Sequence, residues 1–269
     1  MSCNNGIAQH KNRLWAHNKT CMKSDYRKYK HYGLEFLVVF LGVLISFQLQ
    51  NYSQSKAIKS KNELFLKSLV SEIDANIAYC EEHLSQLKNM LVINETIEQE
   101  FRFDKPFLMK LHNENPFGHS YLEDGSYRYW TAPSDYENLY LWMITWWNTF
   151  AQNEIYFNSL VSNGLLLEIK DADLRNRIEG IYSTKKRRVI VNEQLLKANS
   201  DKIFEWAEAK RDASVISRSR DYVFTELKDL QLKNLIEDRS YRIELRVMSL
   251  EHYIQSLYSV REDLAQIKL

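Results

Sequence analysis

Hydrophobic positions along the chain follow two regimes. From Phe36 to Phe47 twelve residues carry no charge and only Ser46 is polar; extending to Leu34 and Leu49 gives sixteen, at the cost of Glu35 and Gln48. After this stretch, apolar residues recur mainly at helical spacing. A bilayer crossing needs about 20 mostly apolar residues, and a run of about 10–14 also suits a core helix or a signal-type segment. Length alone is therefore ambiguous, and the flanks decide. Arg27, Lys28 and Lys30 precede the stretch with Tyr29, His31 and Tyr32, and Tyr52 follows it, which is the charged and aromatic edge of a membrane helix. Glu35 lies near one end, away from the costly midplane. Both faces are apolar, whereas a surface helix shows one stripe. The exit ISFQLQNYSQ offers no small-x-small cleavage site. The pattern predicts an uncleaved signal anchor over 34–52, its span carried by Leu34, Glu35, Phe36, Leu37, Phe40, Gly42, Leu44, Phe47 and Leu49. The alternative is a buried helix of a soluble bundle.

The second regime predicts long helices. Over 54–101, Leu66, Ile73, Cys80 and Leu87 repeat every seven residues, and Val70, Ile77, Leu84 and Leu91 form a second column. Alternating steps of four and three make a heptad seam. Glu63, Lys67, Glu72, Glu81 and Lys88 fall off it. Residues 102–134 break the pattern and hold all three prolines, Pro106, Pro116 and Pro133. A loop this long is unusual inside a compact domain and is often functional. His112 and His119 lie in it, but their spacing of seven matches no common metal-ligand motif, and Pro116 falls between them.

Helix resumes over 135–163, with Tyr136, Tyr140, Met143, Trp147 and Phe150 on one stripe and Trp142 and Trp146 on another side. Such a helix suits the centre of a bundle, or it presents an aromatic surface to a partner. Trp130, Trp142, Trp146 and Tyr156 are the candidate surface. Asn163-Gly164 forms a left-handed stop. Asp171 then caps a helix running from about Ala172 to Arg211, in which Tyr182, Val189, Leu196 and Ile203 repeat at seven. Lys185 to Arg188 form a basic run whose four positions point around the helix, and no aromatics interleave with it for base stacking. A turn falls near 214–220. The last helix, 232–268, holds Ile236, Ile243, Leu250, Leu257 and Leu264 in one column and Val247 and Ile254 in a second. The fold class expected is all-α: an N-terminal transmembrane helix, then a long antiparallel helical bundle or coiled-coil-like domain over 54–269.

Composition narrows the function classes. The chain has 269 residues, only seven Gly and three Pro, and a net charge of +1. Few breakers favour long helices, and a near-neutral balance gives no global pull toward nucleic acid. Cys3, Cys21 and Cys80 show no CxxC spacing, so no disulfide framework or zinc site is expected, and Cys80 sits at a core position. The seven His are scattered, with no acid/base or nucleophile cluster and no Gly-rich phosphate loop, so no enzyme activity and no cofactor are expected. Residues 1–33 read as a basic cytoplasmic tail, irregular over 1–24, in which Met22 is an alternative start. This tail carries seven Lys/Arg against one Asp. Within about 20 residues of each end of the span the contrast narrows to five against four, still favouring the N-terminus inside.

Two stretches resemble a known family. LVVFLGVLISFQLQNY, with Gly42, Gln48 and Asn51, is similar to that family's span motif, though Glu35 falls one place late, one extra residue precedes Gly42, and Tyr52 stands for Trp. Leu160, Ser162, Gly164, Leu166, Ile169, Asp171, Leu174 and Arg175, followed by Tyr182, resemble its second motif. The family comprises uncharacterised bacterial single-pass membrane proteins defined by a domain of unknown function. The resemblance implies a helical domain anchored on the inner membrane, and it implies no activity. The expectation is a periplasmic, membrane-anchored domain that works by binding, as a sensor-like or accessory subunit of an envelope complex. Its partners would be the lipid bilayer and a protein or a second copy of itself, not nucleic acid. The alternative is a soluble or peripheral scaffold that oligomerises through its apolar helix.

Overall fold

The computed structural model describes the backbone of residues 7–118, 122–123, 126–127, 143–213 and 219–266, and side chains within 30–118, 143–213 and 219–266. Seven α-helices are bounded among them, with a 3-10 turn at Leu165–Glu168: α1 (Ile7–Glu100), α2 (Lys105–Glu114), α3 (Ile155–Ser162), α4 (Ala172–Tyr182), α5 (Thr184–Asp212), α6 (Arg220–Glu226) and α7 (Leu230–Gln266). A two-residue ladder, Leu122–Glu123 against Ser126–Tyr127, is the one departure from helix and coil among these residues. The chain divides into two units, Met1–Asn62 and Glu63–Leu269.

In the first unit the backbone is helical from Ile7. The irregular tail expected over 1–24 is corrected from that residue on. The physical reason is the absence of any stop: no proline precedes Pro106, and Lys, Arg, Ala and Gln are good helix formers.

In the second unit the heptad columns become the core. Ile73, Cys80 and Leu87 on α1 are buried, as are Val189, Leu196 and Ile203 on α5 and Ile236, Ile243, Leu250, Leu257 and Leu264 on α7. Polar contacts set the register between these helices. Asn94 Nδ2 donates to the Ile236 carbonyl at 3.0 Å, Lys88 meets Glu251 at 2.6 Å, Tyr258 donates to Glu81 at 2.6 Å, and Arg261 meets Asp74 at 2.9 Å. Partner numbers rise along α7 as they fall along α1. The same holds for α5, where Asn199 reaches the Leu235 carbonyl at 2.9 Å and Lys185 reaches Ser256 at 2.7 Å.

Local caps fix the ends. Gly164, at φ +70°, takes the left-handed turn that ends α3, a conformation costly for residues with a Cβ. Asp171 accepts from the amides of Asp173 (2.9 Å) and Leu174 (3.1 Å), so α4 starts at Ala172.

Three expected elements differ. The excursion at 102–134 contains α2, started by Asp104, whose carboxylate accepts from the Phe107 amide at 3.1 Å, with Pro106 in the first turn. The helix expected from Ala172 to Arg211 breaks at Ser183 (φ −122°, ψ −91°), which frees the Ile181 carbonyl to accept from the Tyr253 hydroxyl at 2.8 Å. The helix expected over 135–163 is not continuous: among its described residues, 143–145 make one helical turn, 146–154 are non-helical, and α3 follows. Trp146, Trp147, Asn148, Thr149 and Phe150 are all weak helix formers, and their backbone finds other partners, described below.

Leu250 is fully buried, whereas Leu64 is 65% exposed. Leu250→Ala is expected to lower unfolding free energy by about 2–5 kcal/mol, and Leu64→Ala by less than about 0.5 kcal/mol, as read from denaturant unfolding followed by circular dichroism.

Candidate functional site

Two features stand out, one in each unit. In the first, every large apolar side chain from Leu34 to Leu49 is between 41% and 72% exposed on α1. This is the one helix among the described residues long and apolar enough to cross a membrane, by length and composition. Its polar group is turned inward: the Ser46 hydroxyl donates to the Gly42 carbonyl at 2.8 Å. Phe36 and Phe40 stack one turn apart, at 6.0 Å between ring centres. Tyr32 and Tyr52 bracket the stretch and are also exposed.

In the second unit the non-helical segment 146–154 forms a strap among helices α1, α5 and α7. Backbone polar groups there have no helix or sheet partner, and burying them unbonded costs about 1–3 kcal/mol each. Side chains from the three helices bind them instead. Arg239 donates to the Trp146 carbonyl and, at 2.8 Å, to the Ser200 hydroxyl. Arg246 donates to the Asn148 carbonyl at 2.6 Å. Tyr79 donates to the Thr149 carbonyl at 3.2 Å and accepts from the Ala151 amide at 3.0 Å. Glu193 accepts from the Phe150 amide at 2.9 Å. Asn76 bonds both backbone groups of Asn153, each at 2.9 Å. Glu72 then caps α3 from a distance, accepting from the Tyr156 amide at 2.7 Å and the Phe157 amide at 3.2 Å. The N-cap residue of α3, Glu154, makes no capping bond of its own and instead pairs with Lys186.

The geometry follows from helical periodicity. Glu72, Asn76, Tyr79 and His83 step by four, three and four along one face of α1. Arg239, Arg246 and Tyr253 repeat at seven along α7. Phe150 drops its ring among Tyr79, His83 and Tyr253, with centroids 5.8, 6.2 and 5.8 Å away.

Burial shapes the titration of these groups. His83 is pushed down to about 3, first by burial and then by the Arg246 charge, so its ring is neutral. Arg246 donates to its Nε2 at 3.0 Å. Its Nδ1 lies 2.8 Å from the Asn148 side-chain nitrogen. Burial also lowers Arg239, helped by the like charge of Arg246; Arg246 itself is lowered by burial and partly restored by Glu193. Both guanidiniums remain charged at neutral pH. Burial pushes the Cys80 thiol up to about 12, which makes it a packing group rather than a nucleophile. The Tyr182 phenol, donating to Glu72 at 2.8 Å, is raised by burial and by that carboxylate.

Of the candidate aromatic surface, Trp130 and Trp142 lie outside the described residues. Trp146 is half-buried, its ring 5.0 Å from that of Phe117, and Tyr156 is 40% exposed. His112 is fully buried, with Nε2 3.1 Å from the Phe117 carbonyl, and His119 lies outside the described residues. Among the described residues no group of three or more His, Cys, Asp or Glu is placed to hold a metal ion. Glu72, which falls off the heptad seam of α1, is 2% exposed and is a buried acceptor. Sequence reasoning also missed Asn76, His83, Glu193, Arg239 and Arg246. Their available signal was polar residues recurring at helical period beside the apolar columns.

No family model, curated protein or solved structure matches the chain.

Arg246→Met is expected to destabilise by about 1–3 kcal/mol, because it strands the Asn148 carbonyl, whereas Glu193→Gln keeps an acceptor for the Phe150 amide and costs less. Denaturant melts rank the two. The His83 contribution is complete above its ordinary 6.5 and is lost as pH falls toward about 3, at up to about 1.4 kcal/mol per pH unit. Stability measured across that window is expected to lose this component of its slope in His83→Gln.

Proposed function

We propose that this protein is a single-pass membrane protein that works by binding. Leu34–Leu49 forms its anchor, and the helices after it form an antiparallel bundle outside the cytoplasm, on the bacterial inner membrane. It serves as a sensor-like or accessory subunit of a cell-envelope complex. The observation that carries this reading is the uncovered apolar stretch. Twelve large apolar side chains there are exposed. At about 1.5–3 kcal/mol for each side chain removed from water, leaving them solvated forfeits on the order of 20 kcal/mol. A bilayer supplies the missing cover, and the Ser46 bond to Gly42 leaves the span no unsatisfied hydroxyl.

The excess of Lys and Arg before the span supports an N-terminus inside, and the family resemblance implies the same architecture. The opposed numbering of contacts along α1 and α7 supports antiparallel packing in the bundle. Binding rather than catalysis is supported by how the buried ionisable groups are spent: Glu72, His83, Glu193, Arg239 and Arg246 are all engaged by the strap and the start of α3. A second reading, a soluble or peripheral scaffold whose apolar helices cover one another, draws on the same exposure.

Alkaline phosphatase, and separately a fluorescent protein that matures only in the cytoplasm, fused after Leu269 test the reading. Phosphatase activity in the membrane fraction is the expected result. Fluorescence in the membrane fraction reverses the topology, and fluorescence in the soluble fraction removes the anchor in favour of the scaffold.

A further inference from the structure

We propose that the trough between α5 and α7 binds a single-chain anionic amphiphile, an alkyl phosphate or alkyl carboxylate. The trough holds about 700 Å³, within the range of small-molecule sites. Its α7 wall runs from Leu245 to Ser256, which is about 16 Å at 1.5 Å per residue.

Its polarity changes along its length. The bonds of Arg239 to Ser200 (2.8 Å) and of Lys185 to Ser256 (2.7 Å) set α5 and α7 running in opposite senses. Val191 therefore falls opposite Leu245 and Met248, and these make one half mostly apolar, with the uncharged Asn192 and Ser249 beside them. Val191 is 44% and Met248 48% exposed, so this half is uncovered. Lys185, Arg187, Arg188 and His252 line the other half. No acidic residue lines the trough among the described residues, and Arg187 and Arg188 form no ion pair there. The nearby Glu154 and Glu251 are engaged by Lys186 and Lys88.

This arrangement selects a ligand class. A polyanion would leave the apolar half wet, and a neutral hydrocarbon would leave the cations without counter-charge. A ligand with one anionic head and one alkyl tail satisfies both, since charged-head hydrogen bonds are the strong ones and each buried methylene adds about 0.8 kcal/mol. The site lies within residues 63–269 and does not rest on the anchor reading. It also gives a role to the basic run at 185–188, of which Lys186 alone is turned to Glu154.

The test uses the full-length chain in phosphatidylcholine nanodiscs, with titration calorimetry corrected against empty discs. The probes are octyl phosphate, octanoate, octyltrimethylammonium and inorganic phosphate. Saturable binding of at least one anionic octyl probe is expected, with inorganic phosphate weaker by about tenfold or more and no saturable binding of the cation. The exposed double variant Arg187→Gln/Arg188→Gln and, separately, Met248→Asp should each weaken the octyl anion by about tenfold, with unchanged circular dichroism. The proposal is overturned if neither octyl anion saturates, if the cation binds as well, if inorganic phosphate binds as tightly, or if either variant leaves the affinity unchanged.

Discussion

A stretch of backbone without helix or sheet partners has to be hydrogen-bonded by something else when it enters a helical interior. In this protein the stretch is 146–154, and the placement of buried polar side chains in the three longest helices follows from it. Six of the ten buried polar or charged residues described, Glu72, Asn76, His83, Glu193, Arg239 and Arg246, bind the strap or the start of the helix that follows it. Each would be a liability alone, since a buried polar group without a partner costs about 1–3 kcal/mol and an unpaired buried charge more. Against the strap, five of them replace water that the backbone has lost, and His83 meets the Asn148 side chain.

This exchange ties the helices together more specifically than apolar packing does. Leucine and isoleucine columns tolerate a shift by one heptad, because the next repeat looks alike. The pairing of Asn76 with both backbone groups of Asn153, and of Glu72 with the Tyr156 and Phe157 amides, does not. A slip of α1 by seven residues would set Tyr79 and His83 against the wrong strap groups. Polar contacts thus fix register, and the apolar columns supply most of the driving force. Leu34–Leu49 presents the opposite situation: its backbone is satisfied within α1, and its apolar side chains are what lack a partner.

Much of the helical framework was legible in the sequence because heptad columns and caps are local signals. The α7 column from Ile236 to Leu264 is buried throughout, Cys80 is a core thiol, and Gly164 and Asp171 bound their turn as their residue types require. The strap was not legible, because its stability is not local. Tyr, Trp and Phe at helical spacing over 135–163 imitate a buried helix, and only long-range acceptors and donors on other helices make the non-helical form of 146–154 the better one. The role of Glu72 was hidden for the same reason: its two amide donors lie more than eighty residues away. The basic run at 185–188 was legible as a charge cluster but not as one wall of a trough, whose other wall comes from α7.

Native-state hydrogen exchange on the full chain tests the central claim most directly. If buried side chains hold the strap, the amides of Phe150, Asn153, Tyr156 and Phe157 exchange as slowly as core helix amides such as those near Leu250, because all would open only with the bundle. Exchange of these four at the rate of an exposed loop, while the Leu250 region stays protected, would contradict the account and leave the buried arginines and carboxylates without a structural reason.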